Sequence, residues 1–159
     1  MVETLINLST TLAMPTLVAV TLFALLKGGP AERVSAPALL ATGIGLQLFR
    51  LLPGAQPQYP SLICDAVVAF LFLWFALRYS NLWLAAAMIC QGLGFGLHVL
   101  LLEQTDDLID RSTQFTFVIG MHLTSWSVML LIAGGTFAAW GRRLGRRPKV
   151  RPPEPALAG

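Results

Sequence analysis

Apolar residues in this chain fall into long, nearly continuous runs separated by short polar or breaker-rich connections. Five runs reach or approach the roughly 17–25 residues that cross a bilayer as a helix: Leu5–Leu26, Val34–Leu52, Ser61–Leu77, Leu82–Leu102 and Thr113–Trp140. Lys27-Gly28-Gly29-Pro30 stops the first run, and Pro53-Gly54 stops the second. Pro37 suits the first turn of the second helix. Pro15 lies inside the first run, where it removes one backbone hydrogen bond and predicts a kink. The second run is the weakest, because Gln47 and Arg50 fall near its end. Without it, four helices would remain. The third is the bulkiest, with Phe70, Leu71, Phe72, Leu73, Trp74 and Phe75 in succession. The fifth is longer than a hydrocarbon core requires and is expected to tilt or project beyond it.

The strands of a membrane barrel alternate apolar and polar positions over about ten residues, and these runs do not. The predicted fold is therefore an all-α, polytopic integral membrane bundle of five helices. It occupies residues 1–141 and is followed by a basic, proline-rich tail, 142–159, with too little apolar content to fold alone. The first run does not resemble a signal peptide: Glu3 precedes it, no basic residue does, and no small-residue cleavage pattern follows.

Composition excludes the soluble alternative. The 159 residues are 55% hydrophobic and 12% charged, with mean hydropathy +0.69. A soluble domain carries about 25% charged residues. Cys64 and Cys90 lie in different apolar runs and are read as buried, free thiols.

The placement of charge sets an orientation, since cytoplasmic loops are enriched in Lys and Arg. With five spans and the N-terminus outside, Lys27, Arg33, Arg78, Arg142, Arg143, Arg146, Arg147, Lys149 and Arg151 fall on one side, and Arg50 and Arg111 on the other. The first set marks the cytoplasmic face. Trp74, Tyr79, Trp83 and Trp140 fall near that same interface, where amphipathic rings prefer to sit. Removing the second span would place Lys27 and Arg33 in one outer loop with Arg50 and weaken this bias. Short loops and the charge pattern suit a multi-pass protein of a bacterial inner membrane.

Polar groups within a membrane are costly and each needs a reason. Gln91, Gly94 and His98 share one face of the fourth helix, and His122, Ser125 and Trp126 share one face of the fifth. A short connection makes these helices antiparallel neighbours, so both imidazoles could stand at a similar depth. Such a pair could ligate a haem b iron, or a divalent metal completed by Asp65 or Glu103. The plainer expectation is that each histidine hydrogen-bonds within the bundle. Asp65, just inside the third helix, is expected to pair with Arg50 or His98. Arg50, Asp65, Gln91, His98 and His122 thus form a candidate polar cluster in the outer half. The acidic stretch 103–110 lacks the glycine and spacing of an EF-hand and reads as a solvated loop.

Gly92 and Gly96 form a GxxxG pair, Ala86, Cys90 and Gly94 a second small-residue stripe, and Thr116, Gly120 and Thr124 a third. Such stripes let helix backbones approach closely in lipid, within the chain or against another subunit. Arg142, Arg143, Arg146 and Arg147 follow the last span and suit anionic lipid headgroups or an acidic partner. Nothing aromatic or folded accompanies them, so nucleic acid is not expected. No G-x-S-x-G, P-loop, HExxH or CxxC motif is present, so no catalytic residue is nominated. These features suggest a small, non-enzymatic accessory or assembly subunit of a larger membrane complex. A haem- or metal-binding redox protein using His98 and His122, and a proton or small-solute transport unit, are the alternatives.

Overall fold

The computed structural model describes residues 2–52, 58–103 and 111–145. These form five α-helices: α1 Val2–Lys27, α2 Pro30–Arg50, α3 Gln58–Tyr79, α4 Leu82–Glu103 and α5 Arg111–Gly145. There is no strand among the described residues. The expected all-helical membrane bundle is present. Four helices, α1, α3, α4 and α5, are long and apolar enough to cross a membrane. The fifth, α2, is diluted by Glu32, Arg33 and Gln47 but has the length, with 21 residues. At about 1.5 Å per residue it reaches about 31 Å, matching a hydrocarbon core of roughly 30 Å.

Only 17–22% of the residues in each apolar window are buried inside the bundle. Others are half-buried, and large apolar side chains including Ile63, Phe70, Trp74, Leu77, Leu93, Leu123 and Leu130 face outward. Lipid is the solvent that tolerates such a surface. The chain is a multi-pass helical membrane protein.

Each helix packs against its sequence neighbour, and α5 returns to α1, closing a ring; α2 and α5 also touch across it. Paired side chains give the directions. Thr21 donates to the Ala36 carbonyl at 3.3 Å, setting α1 and α2 antiparallel. Gly94 faces Thr124 and Gly120 faces Leu97, so α4 and α5 are antiparallel. Phe23 packs at a tilt against Phe137 with ring centroids 4.6 Å apart, which leaves α1 and α5 parallel.

The ring is not equally tight along its length. Lys27, Arg33, Arg78, Arg142 and Arg143 gather at what is here called the basic end. Near that end Ala24, Ala31, Ala36, Phe72, Phe75, Leu84, Ala87 and Ile132 pack into one core. The alanines of α1 and α2 let those backbones close on the larger side chains of α3 and α4. No described residue of α2 beyond Ala36 is buried. That helix stands away from the axis as it leaves the basic end, and the opposite half of the ring holds a cavity.

Two turns show how the chain reverses. Gly28 and Gly29 join α1 to α2, with Gly28 N–H donating to the Ala24 carbonyl at 2.8 Å. A Cβ on Gly28 would collide with that carbonyl oxygen, so the turn requires glycine. Between α3 and α4, Ser80 adopts a φ of 50°. This is the left-handed conformation that often ends a helix. The Ser80 N–H donates to the Ala76 carbonyl at 2.9 Å.

Pro15 lies inside α1 without ending it. The last helix runs 35 residues. At about 1.5 Å per residue it is about 52 Å long. It carries Arg142 and Arg143 past the expected boundary at 141 on a continuous helix. Arg146 and Arg147, the remainder of the tail and the acidic stretch 104–110 lie outside the described residues.

Candidate functional site

The cavity measures about 350 Å³ and draws its wall from all five helices. Its polar lining includes Thr10, Gln47, Asp65, Gln91, His98 and His122. A narrower chamber of about 160 Å³ continues from it, and Ala13, Met14, Gly43, Leu46, Asp65, Gln91, Ser125 and Met129 line both. The chamber adds Leu17, Leu39, Val68 and Val128, so the space grades from a polar mouth to an apolar floor. Asp65 and Gln91 sit where the two join.

Asp65 is held from α4 on both oxygens. Gln91 Nε2 donates to Oδ1 at 2.7 Å. His98 Nδ1 lies 2.5 Å from Oδ2. That nitrogen is buried and makes no aligned hydrogen bond, so the contact is a close approach of imidazole and carboxylate. The spacing of Gln91 and His98, seven residues, puts both on one helix face two turns apart, and Asp65 inserts between them. The two side chains of the pair are 22% and 23% exposed, enough for a ligand in the cavity to touch them. Of the two partners expected for Asp65, His98 is found; the Arg50 side chain lies outside the described residues.

His122 lines the same cavity but serves a different contact. Its Nδ1 lies 2.9 Å from the Val118 carbonyl one turn back. Its Nε2 lies 3.1 Å from Thr10 Oγ1 of α1. A carbonyl can only accept, so Nδ1 carries the hydrogen; in the neutral ring Nε2 then accepts from the threonine hydroxyl. Trp126, one turn further along, donates its indole N–H to Ser9 Oγ at 2.7 Å. These two bonds tie the parallel helices α1 and α5. The two imidazoles share a cavity without sharing a partner. A metal site needs several converging ligands. Among the described residues, no three His, Cys, Asp or Glu side chains converge in that way. Cys64 and Cys90 are free thiols, and Cys64 lines the apolar chamber.

The glycines divide into two groups. Gly94 and Gly120 lie in the α4–α5 seam: a Cβ on Gly94 would stand 3.0 Å from Thr124 Oγ1, and one on Gly120 2.8 Å from Leu97 Cδ1. These contacts hold His98 and His122 at the cavity wall. Gly92 and Gly96 have nothing within 4 Å and face away from the seam.

Sequence reasoning passed over several wall residues. Thr10 lies in a polar run, Ser9-Thr10-Thr11, within the first apolar segment, and that run was a legible signal. Met14, Gly43 and Leu46 carry none. A second polar cluster, at the basic end, was also missed. Glu32 is buried in the first turn of α2, and its Oε2 would lie 2.8 Å from a Cβ at Gly29. Arg143 Nη2 donates to the Gly28 carbonyl at 2.9 Å. Lys27 Nζ stands 5.5 Å from the Trp140 ring centre. That is within reach of a cation–π contact. Arg142 and Arg143 also border a shallow recess with Gly29, Pro30 and Ala139.

No family model matches the chain, and no curated protein or solved structure is significantly similar to it.

Proposed function

We propose that the chain is a small-solute binding unit of a membrane, whose ligand enters the cavity at the end opposite the basic cluster. By the bias of cytoplasmic loops toward Lys and Arg, that end is the outer one. The observation that carries the reading is the Asp65–His98 pair on the wall of a cavity. A carboxylate and an imidazole are retained 2.5 Å apart inside a membrane bundle and remain accessible from the space beside them. Ionisable groups facing a cavity between membrane helices are the usual marks of substrate or proton pathways. Small-molecule sites occupy roughly 300–1,000 Å³, and this cavity lies at the small end of that range. The role proposed for the site is binding or passage.

The test is thermal unfolding of the detergent-purified protein against a panel of amines, carboxylates, sugars and alcohols. A ligand present at about 100 times its Kd stabilises the fold by about 2.7 kcal/mol. One chemical class is expected to raise the midpoint of the wild type and to leave that of Asp65→Asn unmoved. If no class acts, or if every active class acts equally on Asp65→Asn, the site is structural.

A second reading, an accessory subunit, has its own support. Gly92 and Gly96 form an outward small-residue ridge flanked by the exposed Ile89 and Leu93. Close helix approach in lipid uses such a surface. Mass spectrometry of the complex extracted in mild detergent tests it; a stoichiometric partner supports the subunit role, and a lone monomer rejects it.

A further inference from the structure

From the volume and lining of the chamber below Asp65 and Gln91, and resting on the solute-binding reading above, we infer that the ligand is a small aromatic alcohol. Its single ring sits in the chamber and its hydroxyl at the Asp65–Gln91 junction. The chamber measures about 160 Å³. An apolar cavity of about 150 Å³ inside a protein stays dry and takes up a molecule the size of benzene. That volume admits one ring and has no room for a second.

The described wall offers little to water. Leu17, Leu39, Val68 and Val128 supply the floor. Thr42 and Ser125 also reach the chamber, but each spends its hydroxyl hydrogen within its own helix. Thr42 donates to the Leu39 carbonyl at 2.8 Å, and Ser125 to the Met121 carbonyl at 2.9 Å. Cys64 behaves as a small apolar group. Asp65 and Gln91, at the top, are bonded to each other. A buried water needs about two to four polar partners, and the floor supplies none.

Two methionines favour a ring over a plain alkyl group. Met14 of α1 and Met129 of α5 line both the chamber and the cavity above it. A thioether makes favourable contacts with an aromatic ring, and its flexible stem adapts to the shape of the ring. Gly43 of α2 keeps the passage between the two spaces open. A Cβ there would stand 3.2 Å from Leu17 Cδ2 and 3.7 Å from Met14 Sδ, so a side chain at this position grows into the passage. The hydroxyl completes the fit. The Asp65 carboxyl keeps acceptor capacity beyond its bond from Gln91 in either protonation state. A hydroxyl one carbon from the ring donates to it while the ring stays in the chamber.

The experiment is fluorine NMR of the full chain in lipid nanodiscs, with empty nanodiscs as the blank. The probes are para-fluorobenzyl alcohol, para-fluorotoluene, trifluoroethanol and a para-fluorinated biphenylmethanol. The benzyl alcohol is expected to show saturable binding above the blank. Fluorotoluene, which lacks the hydroxyl, should bind several-fold more weakly. Trifluoroethanol, which leaves the chamber empty, and the biphenyl, which overfills it, should bind at least about tenfold more weakly. Gly43→Leu and Val68→Phe fill the space from α2 and α3, and each should weaken the benzyl alcohol by about tenfold or more. Unchanged elution and helical content show that these variants fold, and the ligand series in the wild type decides independently of them. Asp65→Ala should bring the benzyl alcohol down to the affinity of fluorotoluene. Equal binding of fluorotoluene and the benzyl alcohol in the wild type overturns the hydroxyl contact. Undiminished binding in the folded filling variants, or a biphenyl that binds as tightly as the single ring, overturns the chamber as the seat. Neither result touches the solute-binding reading. Failure of every probe, while one class of the broader panel still acts through Asp65, overturns the aromatic alcohol alone. Failure of the probes and the panel together removes the underlying site.

Discussion

Two adjacent glycines on α5 provide an internal comparison for the seam that positions both histidines. A methyl added at Gly134 meets nothing within 4 Å. A methyl added at Gly135 lies 2.7 Å from Cε2, 2.8 Å from Nε1 and 3.0 Å from Cδ2 of Trp83. Ordinary carbon contacts begin at about 3.5 Å, so the indole must retreat by roughly 0.5–1 Å. It is a rigid bicycle at the start of α4, met on its body rather than at a flexible tip. Glycine-to-alanine inside a helix gains about 1 kcal/mol of propensity at either site. Overpacking costs typically about 1–3 kcal/mol. The propensity gain cancels between the two variants, so their difference isolates the collision. Gly135→Ala should therefore be about 1–3 kcal/mol less stable than Gly134→Ala. Equilibrium unfolding in mixed micelles, followed by circular dichroism, measures this. Trp83→Phe in the Gly135→Ala background should recover part of the loss, because a single ring leaves the space. Equal stabilities for the two alanine variants, or a more stable Gly135→Ala, would refute the α4–α5 register and with it the placement of His98 and His122.

Three further outcomes follow from the same geometry. Ser80→Gly should stabilise the fold by about 0.5–1 kcal/mol in the same unfolding assay, because glycine enters the left-handed region without a Cβ penalty; a loss of stability would mean that the serine side chain contributes something beyond the turn. Arg143→Met keeps the aliphatic stem but removes the donor to the Gly28 carbonyl, and should cost about 0.5–1.5 kcal/mol, with Arg142→Met costing less; equal costs would argue against that bond. Gly92→Leu combined with Gly96→Leu should leave monomer stability within about 0.5 kcal/mol while reducing association measured by energy transfer in liposomes; a fall in monomer stability would place those glycines in the internal seam.

The spans were legible because their signal is gross: each apolar run is long enough to be a helix in lipid and nothing else. Even α2, diluted by Gln47, forms, because its alanines and Ser35 pack close to α1 and α5 near the basic end. Helical spacing alone brought Gln91 and His98 to one face, and the cost of an unpaired carboxylate pointed to His98 as a partner of Asp65. The different employment of His122 was not legible. Its partner, Thr10, lies 112 residues away on the helix that closes the ring, and sequence gives no rule for which helix closes on which. The apolar floor of the cavity was equally hidden, since Leu17, Leu39 and Val68 look like any lipid-facing residues. The GxxxG signal was visible, but its direction was not: a stripe announces close approach without saying to what, and here it points outward. The buried Glu32 was counted only as a loop charge, because burial depends on the collapse of the Gly28-Gly29 turn.

The central claim is that Asp65 and His98 act as one unit, and a double-mutant cycle tests it most directly. Unfolding free energies are measured for the wild type, Asp65→Asn, His98→Gln and the double variant. Polar pairs between membrane helices couple by about 0.6 kcal/mol on average and up to about 1.7 kcal/mol. This pair combines two ionisable side chains, a 2.5 Å approach and a shared cavity. It should couple by about 1 kcal/mol or more. Costs that add to within about 0.3 kcal/mol would mean that the two side chains do not see each other and that the site as described does not exist.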